Sequence, residues 1–233
     1  MGRIYSLALH DVRVSGGENS MNTIKHVMDL FGIPLTVHLI FDKSLENEDV
    51  LLKFILENLV NKKLEIVFHG LSHQCSKNVP KMLVFYHKYQ AEYLDDSDLL
   101  RENTREMFYN SKLLLGCNLG ICPPCWIATK KNIQLFQSLN PLFIEKLLSI
   151  SVENKKHFSS VISLGSPVNK ELIFLKILAW LMFTLSLVKR KLNVRIAVHL
   201  CDLEKPASMT FFSTVIKKLD KNKFKSVLLE EMM

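Results

Sequence analysis

Two histidines four residues apart, His69 and His73, follow directly on a short apolar run that ends at Phe68. At that spacing both imidazoles can face one way. A carboxylate from a neighbouring strand end would then complete a facial set of two nitrogens and one oxygen. Asp11 is the natural third member, because it stands just beyond the first apolar run of the chain, residues 4–9. Three protein ligands leave positions open for water and substrate, the arrangement of a catalytic ion rather than a closed structural one. The plainer alternative is a pair of surface histidines and an aspartate that caps the turn after the first strand.

Such side chains need strands to carry them, and the pattern supplies strands alternating with helices. Apolar runs at 4–9, 35–41, 64–68, 147–152, 160–164 and 194–199 read as strands, the second opened by Pro34 and rich in β-branched residues. Apolar residues at helical spacing predict helices over 20–31, 46–62, 98–115, 127–139, about 170–188 and 207–219, with Ser44 and Ser97 as N-caps. Strands separated by helices pair in parallel through right-handed crossovers, so the fold class is α/β, as a (β/α) barrel or an open sheet. The C-terminal strand edges of such folds share one face, and ligands bind there. His10, Asp11, His69, His73, His199 and Asp202 all stand where strands end. Residues 75–96, weakly periodic and containing Asp95-Asp96, predict a loop or short helices over that face. With no internal repeat and no Pro/Gly/Ser linker, residues 1–233 read as one domain.

Composition narrows the class further. The chain is 48% hydrophobic with 8 Gly and 7 Pro, which excludes collagen-like, low-complexity and disordered proteins. Lys and Arg number 30 against 23 Asp and Glu, and the +7 belongs to the second half: residues 1–116 sum to −2 and 117–233 to +9. Basic character suggests nucleic acid, but no recognition motif for it is present and the aromatics do not interleave with basic residues, so no nucleic-acid partner is expected. The apolar stretch after Met1-Gly2-Arg3 is too short for a secretory signal. Five scattered cysteines make no disulfide framework, and the expected location is a reducing cytoplasm. Cys117, Cys122 and Cys125 share the C-x4-C-x2-C spacing of some iron–sulfur proteins, but the two prolines between the last pair argue against a cluster. His26, His38, His87 and His157 lie outside the strand-end pattern and read as structural or surface residues.

Three stretches carry a resemblance: Leu7-Ala8-Leu9-His10-Asp11-Val12, residues 65–74 around His69-Gly70-Leu71-Ser72-His73, and residues 196–203 around His199. With Pro123-Pro124-Cys125-Trp126 they resemble, in order and separation, the motifs of the polysaccharide deacetylase superfamily (the NodB-type homology fold), in the branch whose first motif reads His-Asp-Val. The resemblance runs from residue 4 to about 205 and so covers nearly the whole chain. It implies a distorted (β/α) barrel that removes acetyl groups from N-acetylated sugars with one divalent metal, zinc first, with cobalt, nickel or manganese as alternatives. Carried over, it implies Asp11, His69 and His73 as metal ligands and His199 as the general acid, with Asp202 supporting it. Pro124 and Trp126 would belong to the substrate groove, Trp126 being equally readable as core. The better-known members have an aspartate base where this chain has His10, and an arginine where it has Cys122. Histidine accepts a proton near neutral pH, which makes His10 the candidate base. The alternative is a catalytically inactive relative that binds carbohydrate or lipid.

Residues 172–188 interrupt seventeen residues of apolar sequence only with Lys176, Thr184 and Ser186, and Lys189-Arg190-Lys191 follows. As a helix the segment would reach about 26 Å at 1.5 Å per residue, short of the ~30 Å hydrocarbon core. A spanning helix would also part His199 from His69. The segment is therefore expected either buried against the sheet or lying on an anionic membrane surface. A cytoplasmic enzyme needs a cytoplasmic substrate, and an N-acetylated sugar on a polyprenyl-phosphate carrier at the inner leaflet would suit such a surface.

Overall fold

The structure is a computed structural model, and it describes residues 3–74, 91–153, 155–164, 173–188 and 193–233. Eight strands close on themselves: β1 (Ile4–Arg13), β2 (Leu35–Ile40), β3 (Leu64–Phe68), β4 (Gly120–Ile121), β5 (Ile144–Lys146), β6 (Ser149–Val152), β7 (Lys155–Ser163) and β8 (Asn193–His199). The ring is complete because β1 pairs with both β2 and β8. A short ninth strand, β9 (Lys225–Ser226), pairs in parallel with the start of β1. Around the strands lie α1 (Glu18–Phe31), α2 (Val50–Val60), α3 (Asp98–Leu115), α4 (Lys130–Ser138), α5 (Ile173–Val188), the single turn α6 (Leu200–Leu203) and α7 (Pro206–Lys221). The expected (β/α) barrel is what forms.

Alternate residues of each strand face opposite sides. Leu7, Leu9, Val37, Leu39, Ile66, Phe68, Ile196 and Val198 point outward and pack with helix residues such as Ile24, Ile55, Phe108, Val215 and Leu219 in one continuous core. The other parity faces the lumen. A smaller apolar cluster there joins Val67, Cys122, Phe143 and Ile150 to Val227, Leu229 and Met232 of the chain end. Gly120 on β4 leaves the room that Phe143 needs, since a Cβ there would stand 2.3 Å from the ring.

Several expected elements shift. The helix expected over 46–62 begins only at Val50, with Asp49 rather than Ser44 at its N-cap position, because the Asp49 carboxylate accepts the Glu46 N–H and holds 46–49 as a turn. The helix expected over 127–139 spans Lys130–Ser138, and Thr129 Oγ1 accepts the Asn132 N–H at its start. The strands expected over 147–152 and 160–164 become β6 and a longer β7, and β6 runs antiparallel to both neighbours. The connections flanking β6 are far too short for a crossover, so only hairpins are available. Of the expected loop at 75–96, residues 91–96 are described and hold a 3₁₀ turn, Glu92–Leu94; the remainder lies outside the described residues, as do Cys75, His87 and Lys189-Arg190-Lys191.

The lumen floor contains one carboxyl that makes stability depend on pH. Glu65 is 6% exposed and accepts from Thr36 Oγ1 (2.8 Å), Leu229 N (2.9 Å) and Glu230 N (3.0 Å), tying the chain end to β2 and β3. Burial pushes its pKa up to about 8 despite these donors. A carboxyl whose folded pKa is raised contributes stability that is present below the ordinary carboxylate range and lost as pH rises through the folded value. Urea denaturation of the wild type between about pH 5 and pH 9 should therefore show a falling midpoint, with a flatter profile in Glu65→Met. Identical pH slopes in the two proteins would contradict this.

Candidate metal centre

Consecutive strand residues normally face opposite sides, so His10 and Asp11 need a local irregularity to reach one site. β1 supplies it. Leu9 pairs with Val37 and Val12 with Leu39, so β1 spends one more residue than β2 over the same step. This bulge coincides with Asp11 at φ +67°, a left-handed conformation rare for a non-glycine residue. Bulges re-aim side chains next to active sites. Here His10 keeps the lumen parity while Asp11 swings to the barrel mouth.

At that mouth three ligand atoms converge. Asp11 Oδ1 lies 3.4 Å from His69 Nε2 and 3.2 Å from His73 Nε2, and the two nitrogens are 3.4 Å apart. Atoms bound to one ion at about 2.0–2.1 Å in tetrahedral geometry are separated by about 3.3–3.4 Å. The trio therefore fits a divalent ion. The His69 Nδ1–H donates to the Cys122 carbonyl oxygen at 2.8 Å, which fixes the tautomer that leaves Nε2 as the lone-pair nitrogen. Burial, then the neighbouring His69, pushes the His73 pKa down to about 3, the neutral form a ligand needs. Asp11 titrates below the ordinary carboxylate range: burial opposes this, but the neighbouring histidines outweigh it.

The loop from His69 to His73 is shaped by a residue that sequence reading does not single out. The Glu92 carboxylate, buried at 2% exposure, accepts from the backbone N–H of Leu71 (2.7 Å), Ser72 (2.8 Å) and His73 (2.8 Å) and from Ser72 Oγ (2.8 Å). Gly70 admits this carboxylate, since a Cβ there would stand 2.1 Å from Glu92 Oε1, and its φ of +98° suits glycine alone. His73 in turn is held at φ +59°.

His199 ends β8 directly beside His10, its registered partner on β1. Its Nδ1 lies 3.7 Å from Asp202 Oδ2 and 3.5 Å from Ser163 Oγ, leaving Nε2 as the other nitrogen. Asp202, itself buried, also accepts the His199 backbone N–H at 3.0 Å. Burial alone would lower the His199 pKa, but Asp202 and the charge of Asp11 raise it above the ordinary histidine range. His10 is 1% exposed, packed on His38 with ring centroids 3.7 Å apart and 5.0 Å from His199. Burial and the neighbouring positive groups hold it neutral well below the ordinary range, so its form accepts protons but its affinity for them is small. Trp126 at φ +57° stands 5.3 Å from His10 and 6.3 Å from His199 between centroids, while Pro124 is buried against Gly70 and so packs beneath the metal loop.

Three further lumen residues support this mouth. His38 is wholly buried, not a surface residue, with Nε2 3.2 Å from Glu145 Oε2. Glu145 Oε1 accepts from Arg195 Nη1 at 2.5 Å and from Trp126 Nε1 at 3.2 Å. Arg195 Nη2 donates to the Lys146 and Leu147 carbonyls, each at 2.7 Å. Burial would raise the Glu145 pKa, but His38 and Arg195 bring it down to about 2. Parity is the signal that finds two of them: His38 shares the lumen parity of Thr36, and Arg195 lies two steps of two behind His199. Glu92 and Glu145 fall in no such pattern. Among the described residues, Cys117 and Cys125 join no group able to hold a metal.

Replacing one Glu92 oxygen should loosen His73 without touching a ligand atom. Glu92→Gln presents an amide donor to a set of N–H donors. Its divalent-ion affinity, read by competition with a chromophoric chelator, should fall about 10- to 100-fold. An affinity equal to that of the wild type would show that the loop holds its shape unaided.

No protein-family model matches the chain, and no curated protein matches it. Solved structures match its fold at low identity. A CE4 esterase from Streptococcus mutans matches with a TM-score of 0.58 at 12% identity, over 97% of this chain and 85% of the esterase. A family 4 acetyl xylan esterase from Clostridium thermocellum, in complex with a cobalt ion, gives 0.55 at 12% identity, over 99% and 90%. A CE4 family pseudoenzyme from Bacillus anthracis gives 0.50 at 11% identity, over 99% of this chain and 65% of that protein. The chain thus spans about two thirds of the pseudoenzyme's length. The chain, a closed barrel with one reversed strand and with Asp11, His69 and His73 at its mouth, shares the fold of these CE4 family esterases.

Proposed function

We propose that the chain is a metal-dependent deacetylase that hydrolyses the acetamide of an N-acetylated sugar. The observation that carries the reading is the convergence of Asp11, His69 and His73 at 3.2–3.4 Å with His199 on the adjoining strand end. A divalent ion held by these three residues, with zinc the first candidate, would polarise the amide carbonyl and acidify the attacking water. Asp11 contributes the negative charge that offsets the ion, and the two neutral imidazoles present Nε2. An amine leaves only if protonated as the C–N bond breaks. His199 has the raised pKa that keeps a proton available, and the Asp202–Ser163 pair on Nδ1 leaves Nε2 to deliver it. Trp126 offers a flat apolar face beside these groups for a sugar ring.

A second reading is carried by His10. A base so reluctant to take a proton, standing where active relatives of the resembled pattern carry an aspartate, suits a non-catalytic relative that binds carbohydrate or lipid. Acetate release from a panel of free and lipid-linked N-acetylhexosamines separates the two. The deacetylase reading expects release that a chelator abolishes and zinc restores, with His199→Ala slower by about 10²–10⁴-fold. It also expects a pH profile whose basic limb moves to lower pH in Asp202→Asn, because the carboxylate that raises the His199 pKa is gone. Metal-replete protein releasing no acetate from any member of the panel would leave the binding reading.

The substrate we favour sits on a polyprenyl-phosphate carrier at a membrane surface. Among the described residues, no helix is long and apolar enough to cross a membrane. α5 buries Ala179 and Phe183 yet leaves Ile177 (60%), Leu181 (53%), Leu185 (41%) and Trp180 (37%) exposed along one stripe. Lys218 of α7 lies 4.9 Å over the Trp180 ring, which places a cation beside the stripe. An apolar stripe rimmed by lysine supports attraction to anionic headgroups. Co-sedimentation with phosphatidylglycerol vesicles should fall in Leu181→Lys and in high salt. A wild type that stays in the supernatant at low salt would remove this support.

A further inference from the structure

Just inside the Asp11–His69–His73 mouth, four metal-ligating side chains crowd one point of the lumen. His10, His38, His69 and Cys122 are all buried and can each offer one atom such that the four lie within 4.8 Å of one another. His69 is already committed, with Nδ1 on the Cys122 carbonyl and Nε2 toward Asp11 and His73. The other three are not. His10 Nε2 and both ring nitrogens of His38 are sealed from solvent without a hydrogen-bond partner, on rings whose centroids are 3.7 Å apart. Cys122 Sγ reaches the Pro123 carbonyl at 3.7 Å, a weak bond even for a thiol.

Glu145 Oε2 lies 3.2 Å from His38 Nε2, outside good hydrogen-bond geometry but close enough to favour the proton on that nitrogen. A carboxylate behind an imidazole in this way both orients a metal-ligating histidine and raises its donor strength. Arg195 and Trp126 hold Glu145 in place from its other oxygen. Two imidazoles and one thiol form a donor set for a thiophilic ion, unlike the oxygen-containing set at the mouth. His10 and Cys122 are also the two positions at which the chain departs from the pattern it resembles. A divalent ion on one thiolate carries a net charge of +1, the charge of the arginine that the pattern has where Cys122 stands.

We propose that His10, His38 and Cys122 form a second, inner metal site that takes a thiophilic divalent ion of the zinc class. Binding displaces the Cys122 thiol proton to solvent and uses the His10 nitrogen that a general base would need, so His10 is a ligand rather than the base. The site does not depend on the deacetylase reading.

Cobalt(II) is the probe, because its absorption reports sulfur ligation and the mouth site contains no sulfur. The full-length chain, loaded anaerobically with cobalt(II), should bind two equivalents and show thiolate-to-cobalt charge-transfer absorption in the near ultraviolet. That absorption should persist in His73→Ala, with one equivalent bound, and vanish in Cys122→Ser, with one equivalent remaining. His38→Gln, which keeps the thiol, should weaken it as well, a second route should Cys122→Ser fail to fold. A wild type that binds one equivalent without the absorption, or an absorption that survives Cys122→Ser, overturns the inner site. Acetate release is measured separately, so loss of the deacetylase reading would leave the cobalt spectrum intact.

Discussion

Everything at the barrel mouth depends on the two-residue period of the strands and the sealed lumen it creates. One parity of β1, β2, β3 and β8 feeds the outer apolar core; the other sends Ser6, Thr36, His38, Glu65, His69, Arg195 and His199 inward. Buried polar groups need partners from within the lumen, which most of these find and the His38 ring does not. Glu65 finds them at the floor in backbone N–H groups, and Glu145 finds them higher up in Arg195 and Trp126. The mouth is where this interior polar column meets solvent: Asp11 is 26% exposed by its side chain while His69 beneath it is 2% exposed.

Strain is concentrated at the same place. Among the described residues eight non-glycine residues have positive φ, and four of them are Asp11, His73, Cys125 and Trp126. Such conformations cost about 1–3 kcal/mol each and persist only where surrounding structure over-determines them. The surroundings are identifiable. The β1 bulge sets Asp11, the Glu92 carboxylate sets His73, and the Glu145 acceptor fixes the Trp126 indole. Each is a side chain or register feature of the fold itself, so these conformations are set by the surrounding structure.

How much was legible in the sequence follows from element length and from who chooses each conformation. The helix over 98–115 is read to the residue, because Ser97 caps its start and Gly116 ends it in a left-handed turn. The strand over 64–68 is likewise read to the residue. β4 and β9 have two residues each and β5 three, too few to show any period, and their pairing is chosen by their neighbours. The cluster of Asp11, His69 and His73 was readable because Asp11 and His69 stand just beyond apolar runs and His73 follows four residues on. Glu92 and Glu145 were not, since each acts on residues about twenty or more positions away and neither sits in a repeating pattern. His38 was left as structural or surface because a histidine within a strand can face either way, and only closure of the barrel tells which side is the interior.

The way the ring closes also governs when the site can exist. β1 must pair with β8 and β9, nearly the whole length of the chain away, and Leu229 and Met232 are needed to fill the lumen below. Contacts of such high sequence separation are slow to form. During synthesis Asp11, His69 and His73 emerge well before the strand that carries His199 and the turn that plugs the floor. Until those follow, the polar lumen residues remain unsealed and an open edge of β1 is unpaired. The nascent chain therefore has a long interval in which a chaperone would be of use.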